Sequence, residues 1–161
     1  MQSQPVKPDN IFSLYYSYYL EYLTARFYRN IFNFICFIQM ILGSAFMANI
    51  ASGMVAGFFI TLLSAYIFVY KPGEISSQAQ KQATQYENLM IQVENMDIVT
   101  FNEKIISINK DDSFIPDVLR NIAYTKADIA LNGANNRTQT AIKEFDLFEK
   151  ISMFISGCRM K

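Results

Sequence analysis

The chain has no histidine, no tryptophan and only two cysteines. Without histidine there is no Ser-His-Asp triad, no Cys-His pair and none of the common His-containing zinc sites. Cys36 and Cys158 belong to no motif and are expected as unpaired, reduced thiols. Net charge is missing as well, since 14 basic and 14 acidic residues cancel. A nucleic-acid partner therefore has no electrostatic footprint here. There is no P-loop, no dinucleotide glycine motif and no metal-ligand cluster in the sequence. Asp111 and Asp112 read as a solvated cap. Glu144, Asp146 and Glu149 alternate with Lys143 and Lys150, which is a surface pattern. No enzyme, cofactor or metal is expected.

The sharpest absence is local. No Asp, Glu, Lys or Arg lies between Arg29 and Lys71. As one helix, residues 30–70 would run about 60 Å at about 1.5 Å per residue. The hydrocarbon core of a bilayer is about 30 Å thick, so two helices fit and one does not. A soluble buried helix of this length would need a core larger than a chain of 161 residues supplies. Asn49, Ser52 and Gly53 place the turn, with spans near 30–48 and 53–70. Lys7, Arg26 and Arg29 precede the first span, Lys71 and Lys81 follow the second, and the turn has no charge. Positive residues stay in the cytoplasm, which predicts both termini cytoplasmic. Tyr28, Tyr66 and Tyr70 fall near the inner boundary, where amphipathic rings are favoured. The first apolar segment opens with Tyr-rich rather than basic sequence, so no cleavable signal peptide is expected.

Two faces of the spans carry information. Gly53 and Gly57 form a GxxxG motif that Thr61 and Ala65 continue. Such a stripe lets another helix approach closely, either the first span or a neighbouring subunit. On the first span Cys36, Gln39, Gly43 and Met47 share a face, with Asn33 a turn earlier. An amide at mid-depth needs a partner or water. Gln39 is expected either to bond between helices or, with Asn33 and Gly43, to line a pore. Two helices enclose no channel, so conduction requires a homo-oligomer.

Outside residues 30–70 the pattern is helical. Residues 1–10, with Pro5 and Pro8, are expected to be disordered or extended. Residues 11–29 form a Tyr-rich helix, capped by Asp9 or Asn10, whose tyrosines either lie in the membrane interface or, the favoured reading, pack on the helices following the spans. After Lys71-Pro72-Gly73, a helix over 74–96 presents Ser76, Ala79, Ala83, Tyr86, Met90 and Val93 at alternating three- and four-residue steps. That is a coiled-coil-like seam, expected against the Tyr-rich helix. A short helix is expected at 98–108. The next opens at Ser113 and Pro116, runs to Leu131 and stops at Gly133. The last covers about 137–156, with Ile142, Phe145, Phe148, Ile151 and Ile155 on one face. The fold class is thus an all-α membrane protein: a two-helix transmembrane hairpin, an N-terminal helix and a cytosolic helical bundle over 71–161. Asn136-Arg137-Thr138 matches a glycosylation acceptor, which a cytoplasmic position makes irrelevant.

This layout resembles a known family. Arg26 stands just before a tight two-helix hairpin, and a long helix holds Gln82-Ala83-Thr84-Gln85-Tyr86-Glu87-Asn88-Leu89. Ile115-Pro116-Asp117 then precedes Ala123-Tyr124-Thr125-Lys126-Ala127, and the segment ends in Asn132-Gly133. Over residues 11–156 the chain resembles the SLATT family, two-transmembrane effector domains of bacterial SMODS and SLOG nucleotide-signalling systems. The exit Tyr70-Lys71-Pro72-Gly73 departs from the family's aromatic-basic exit. The resemblance implies an oligomeric pore-forming effector in the bacterial inner membrane that depolarises the host during phage defence. It also implies a signalling-protein or nucleotide-sensor partner. The alternatives are a phage- or plasmid-encoded membrane scaffold or exclusion protein, and a holin-like protein. A structured polar region over more than half the chain disfavours the last.

Overall fold

A computed structural model describes residues 6–47 and 53–160. Among the described residues there are α-helices and 3₁₀ turns and no strand. The expected turn around Asn49 and Ser52, the end of the first span at residue 48 and the first half of the extended N-terminus lie outside them.

Helix α1, Pro8–Met47, is 40 residues long and unbroken. The expected Tyr-rich helix and first apolar helix are therefore one rod. Between Pro8 and Gly43 the sequence holds no glycine or proline to interrupt it. Pro8 is tolerated in the first turn, where its missing N–H costs nothing. Residues 8–10 are thus helical rather than extended, and Asp9 sits inside the first turn, favoured by the helix dipole. The two halves of α1 live in different surroundings. Leu14, Leu20, Glu21, Leu23, Thr24 and Ala25 are buried, whereas beyond them Ile35 alone on this helix is buried.

Helix α2, Gly53–Tyr70, runs back along the apolar half of α1. It passes into α3, Pro72–Gln92, through Lys71, whose backbone is left-handed (φ 45°, ψ 50°). Pro72 starts α3 two residues earlier than the expected 74, and a 3₁₀ turn at Val93–Asn95 replaces its last turn. α3 lies along the polar half of α1. Ala79, Ala83 and Tyr86 are fully buried in that contact and Val93 nearly so, while Met90 packs at its edge. The small residues allow close approach, and the Ser76 hydroxyl donates to the Ala25 carbonyl at 2.8 Å.

Helix α4, Ile98–Asn109, matches the expected short helix and is capped by the Asp97 carboxylate, which accepts from the Val99 and Thr100 amides. Ser113 and Pro116 do not open a helix. Residues 113–116 have no regular structure, a 3₁₀ turn follows at Asp117–Leu119, and α5 runs Arg120–Asn132 to a stop at Gly133 (φ 74°). The single last helix expected over 137–156 is two: α6, Asn136–Glu144, and α7, Leu147–Ile155. The break at Phe145 arises because Asp146 and Glu149 form a capping box, with each side chain accepting the other's amide.

Two hydrophobic clusters hold this end together. Leu20, Leu23, Leu119, Ile122, Ala123 and Phe145 form one, flanked by Tyr16, Tyr19 and Tyr22. Leu14, Tyr86, Leu89, Val93 and Phe101 form the other. Each fully buried large side chain contributes about 1.5–3 kcal/mol. The tyrosines of α1 thus pack inward, with the Tyr124 ring edge-on to Phe12 at 5.0 Å.

Candidate functional site

The second half of α1 and the whole of α2 expose what a soluble protein hides. Both helices are long and apolar enough to cross a membrane, and only 6% of each apolar window is buried in the structure. Met54 is 87% and Phe68 81% exposed, and Phe34, Met40, Phe58 and Leu62 point outward as well. A core helix of a soluble domain would show the reverse.

Within this pair the small-residue stripe divides. A β-carbon at Gly53 would meet the Phe46 ring at 2.7 Å, so this glycine admits the α1 aromatic. Gly57 has nothing within 4 Å of that position. Gly57, Thr61 and Ala65 are exposed, with the Thr61 hydroxyl turned back to the Gly57 carbonyl at 2.8 Å. Ala56, one position off the stripe, is the α2 residue buried against α1. Ala65 instead borders an open groove of about 560 Å³ between the helices, lined by Ile35, Leu62, Tyr66 and Val69.

Gln39 bonds across the pair. Its amide donates to the Ser64 hydroxyl at 3.0 Å and reaches the Ile60 carbonyl at 3.4 Å. Asn33 is exposed on another side of α1, and Gly43 is half-buried with open space beside it. The structure therefore does not bring Asn33, Gln39 and Gly43 together in one lining within a single chain.

No protein-family model, curated protein or solved structure matches the chain. What the arrangement can do chemically is set by its own side chains.

At the other end lies a polar junction that sequence reasoning missed. Glu21 is 1% exposed, and its Oε1 accepts the Ser113 backbone N–H at 2.8 Å. Its other oxygen is buried without a partner. Burial pushes the Glu21 carboxyl above its ordinary value, partly offset by the bond from Ser113. Nearby, the Tyr86 hydroxyl lies 2.7 Å from both Asn109 Oδ1 and Asp112 Oδ1. Asp112 is exposed yet tied to Tyr86; partial desolvation raises its carboxyl, against the bond from Tyr86. Glu149 likewise is no surface charge. It is buried and accepts from the Asn121 amide at 2.7 Å as well as from Asp146. The available signal for Glu21 was its isolation, since no other acidic residue occurs between Asp9 and Glu74.

Proposed function

We propose that residues 30–70 cross a bacterial inner membrane as a hairpin, with the remaining helices and both termini in the cytoplasm. The single observation that carries this is the near-complete exposure of two membrane-length apolar helices beside a polar bundle with its own core. The orientation rests on Arg26, Arg29, Lys71 and Lys81 flanking a turn without charge. Helix α7 supports the same boundary. Phe154 projects from it exposed, next to the apolar run of α1.

On this reading the protein is a homo-oligomeric pore-forming effector of the SLATT type, acting in a nucleotide-signalled anti-phage response. The free Gly57–Thr61–Ala65 stripe supplies a face for close helix contact between subunits. Opening depolarises the host membrane, and the bundle receives the trigger from a signalling partner. A voltage-sensitive dye tests this directly: expression with the partner system triggered should collapse the membrane potential, and a steady potential sinks it. One observation favours a second reading as an anchored scaffold or exclusion protein. The mid-depth amide of Gln39 is satisfied inside its own hairpin and has no need of a water-filled lumen. Under that reading, replacing both spans with unrelated ones preserves activity.

A further inference from the structure

We propose that the pocket between α1, α5 and the chain after α7 binds a phosphate-class anion. The cavity measures about 530 Å³ and gathers Arg26 from α1, Lys126 from α5 and Arg159 from the tail. Among the described residues no acidic side chain lines it. Among the described residues, none of the three cations forms an ion pair. Like charges brought together without a counter-ion repel one another, and an anion between them removes that cost.

The pocket is built to hold its cations in place. The Arg26 Nη1 donates to the Tyr22 hydroxyl at 2.6 Å, and the guanidinium carbon lies 5.4 Å from the Tyr22 ring centre. Its Nε is buried and has no partner. Lys126 donates one N–H to the Arg159 carbonyl at 2.7 Å, which pins the tail across α5 and leaves two donors free. Gly157 (φ 62°) makes the tail's approach possible, because a β-carbon there would lie 3.2 Å from Arg26 Nη2. Burial pushes the Cys158 thiol up, against the pull of Lys126 and Arg26, so the wall beside the cations stays neutral. A fixed guanidinium fork flanked by an ammonium matches the oxygens of a phosphate.

The location narrows the source of the phosphate to two. The Asn30 amide donates to the Ile155 carbonyl at 2.6 Å, so α7 ends at the first residue of the uncharged run. Arg26 sits about one helical turn before it. If the membrane reading holds, this is the depth of lipid phosphates; a free phosphate or pyrophosphate would enter from the cytosol.

The test uses the full chain in detergent and the Lys126→Gln/Arg159→Gln double variant. Arg159 is exposed and Lys126 half-buried, which spares the core. One arm titrates inorganic phosphate and pyrophosphate by calorimetry at fixed ionic strength. The other reads retention of phosphatidic acid against phosphatidylcholine by native mass spectrometry. Wild-type binding in either arm, weakened about tenfold or more in the double variant and restored by Lys126→Arg/Arg159→Lys, supports the site. The arm that binds names the source. Absence of binding in both arms, or equal binding by the double variant, overturns it. A chain soluble without detergent defeats the membrane reading alone, since the phosphate arm still decides the pocket.

Discussion

The Glu21 side chain accepts the backbone N–H of Ser113 at 2.8 Å, across a separation of 92 residues. This one bond ties the irregular segment 113–116 to the middle of the buried half of α1. It also ties stability to protonation, because the other carboxylate oxygen has no partner.

The first prediction follows from that oxygen. The folded-state value of Glu21 lies above its ordinary 4.5 and that of Asp112 above 3.8, in both cases through desolvation first. Folding therefore favours their protonated forms. This contribution is full below the ordinary values and is lost as pH rises through the raised ones. Asp97, exposed and lowered by its bonds to Thr100 and Val99, acts with the opposite sign at more acid pH. Melting followed by circular dichroism should show the bundle weakening as pH rises above these ordinary values. Glu21→Gln, which keeps an acceptor for Ser113, should flatten that slope. An unchanged slope would detach the effect from Glu21.

The stripe on α2 separates two roles by position. Gly57→Leu enters open space and should leave the helical content of the monomer intact while reducing cross-linked oligomers. Gly53→Leu collides with Phe46 and should loosen the hairpin itself. Equal effects of the two substitutions on oligomer yield would remove the assignment of Gly57 to a subunit contact.

The seam between α1 and α3 should be intolerant of both bulk and lost bonding. Ala83→Leu overfills a fully buried position and should cost about 1–3 kcal/mol. Tyr86→Phe removes the hydroxyl shared by Asn109 and Asp112 and should cost about 1–3 kcal/mol. Denaturant unfolding in detergent reads both. A neutral Ala83→Leu would mean that α3 does not hold α1 as closely as described.

Much of this architecture was legible in local pattern. Small residues at three- and four-residue steps, as in Ser76, Ala79 and Ala83, mark a close helix contact wherever the partner comes from. The missing charges between Arg29 and Lys71 likewise needed no tertiary information. What escaped depended on distant partners. Asp112 looks solvated beside Asp111 until Tyr86, 26 residues away, is brought to it. Glu21 looks like the polar edge of a tyrosine helix until Ser113 arrives. The division of α6 from α7 was readable in principle, because Asp146 and Glu149 have capping-box spacing. The apolar series from Ile142 through Phe145 to Ile155 concealed it by keeping helical phase across the break.

The absence of tryptophan supplies a clean reporter for α7. Phe154 is 87% exposed at the end of a helix whose last carbonyl is held by Asn30. Phe154→Trp, in vesicles, should emit at short wavelength and be quenched by lipids brominated near the headgroup. Emission typical of water, with no such quenching, would place this face away from the bilayer. Because the side chain touches little within the chain, the substitution should alter stability by less than about 0.5 kcal/mol.

The junction at Lys71 has a mechanical consequence. α1 is one rigid rod through both halves of the molecule, while α2 and α3 meet at a single left-handed residue locked between Tyr70 and Pro72. No slack linker exists there to absorb torque. A swing of α3 about the rod must be passed on to α2, or be taken up by turning that one residue out of its strained geometry. The direction of α3 relative to α2 is thus set by one residue.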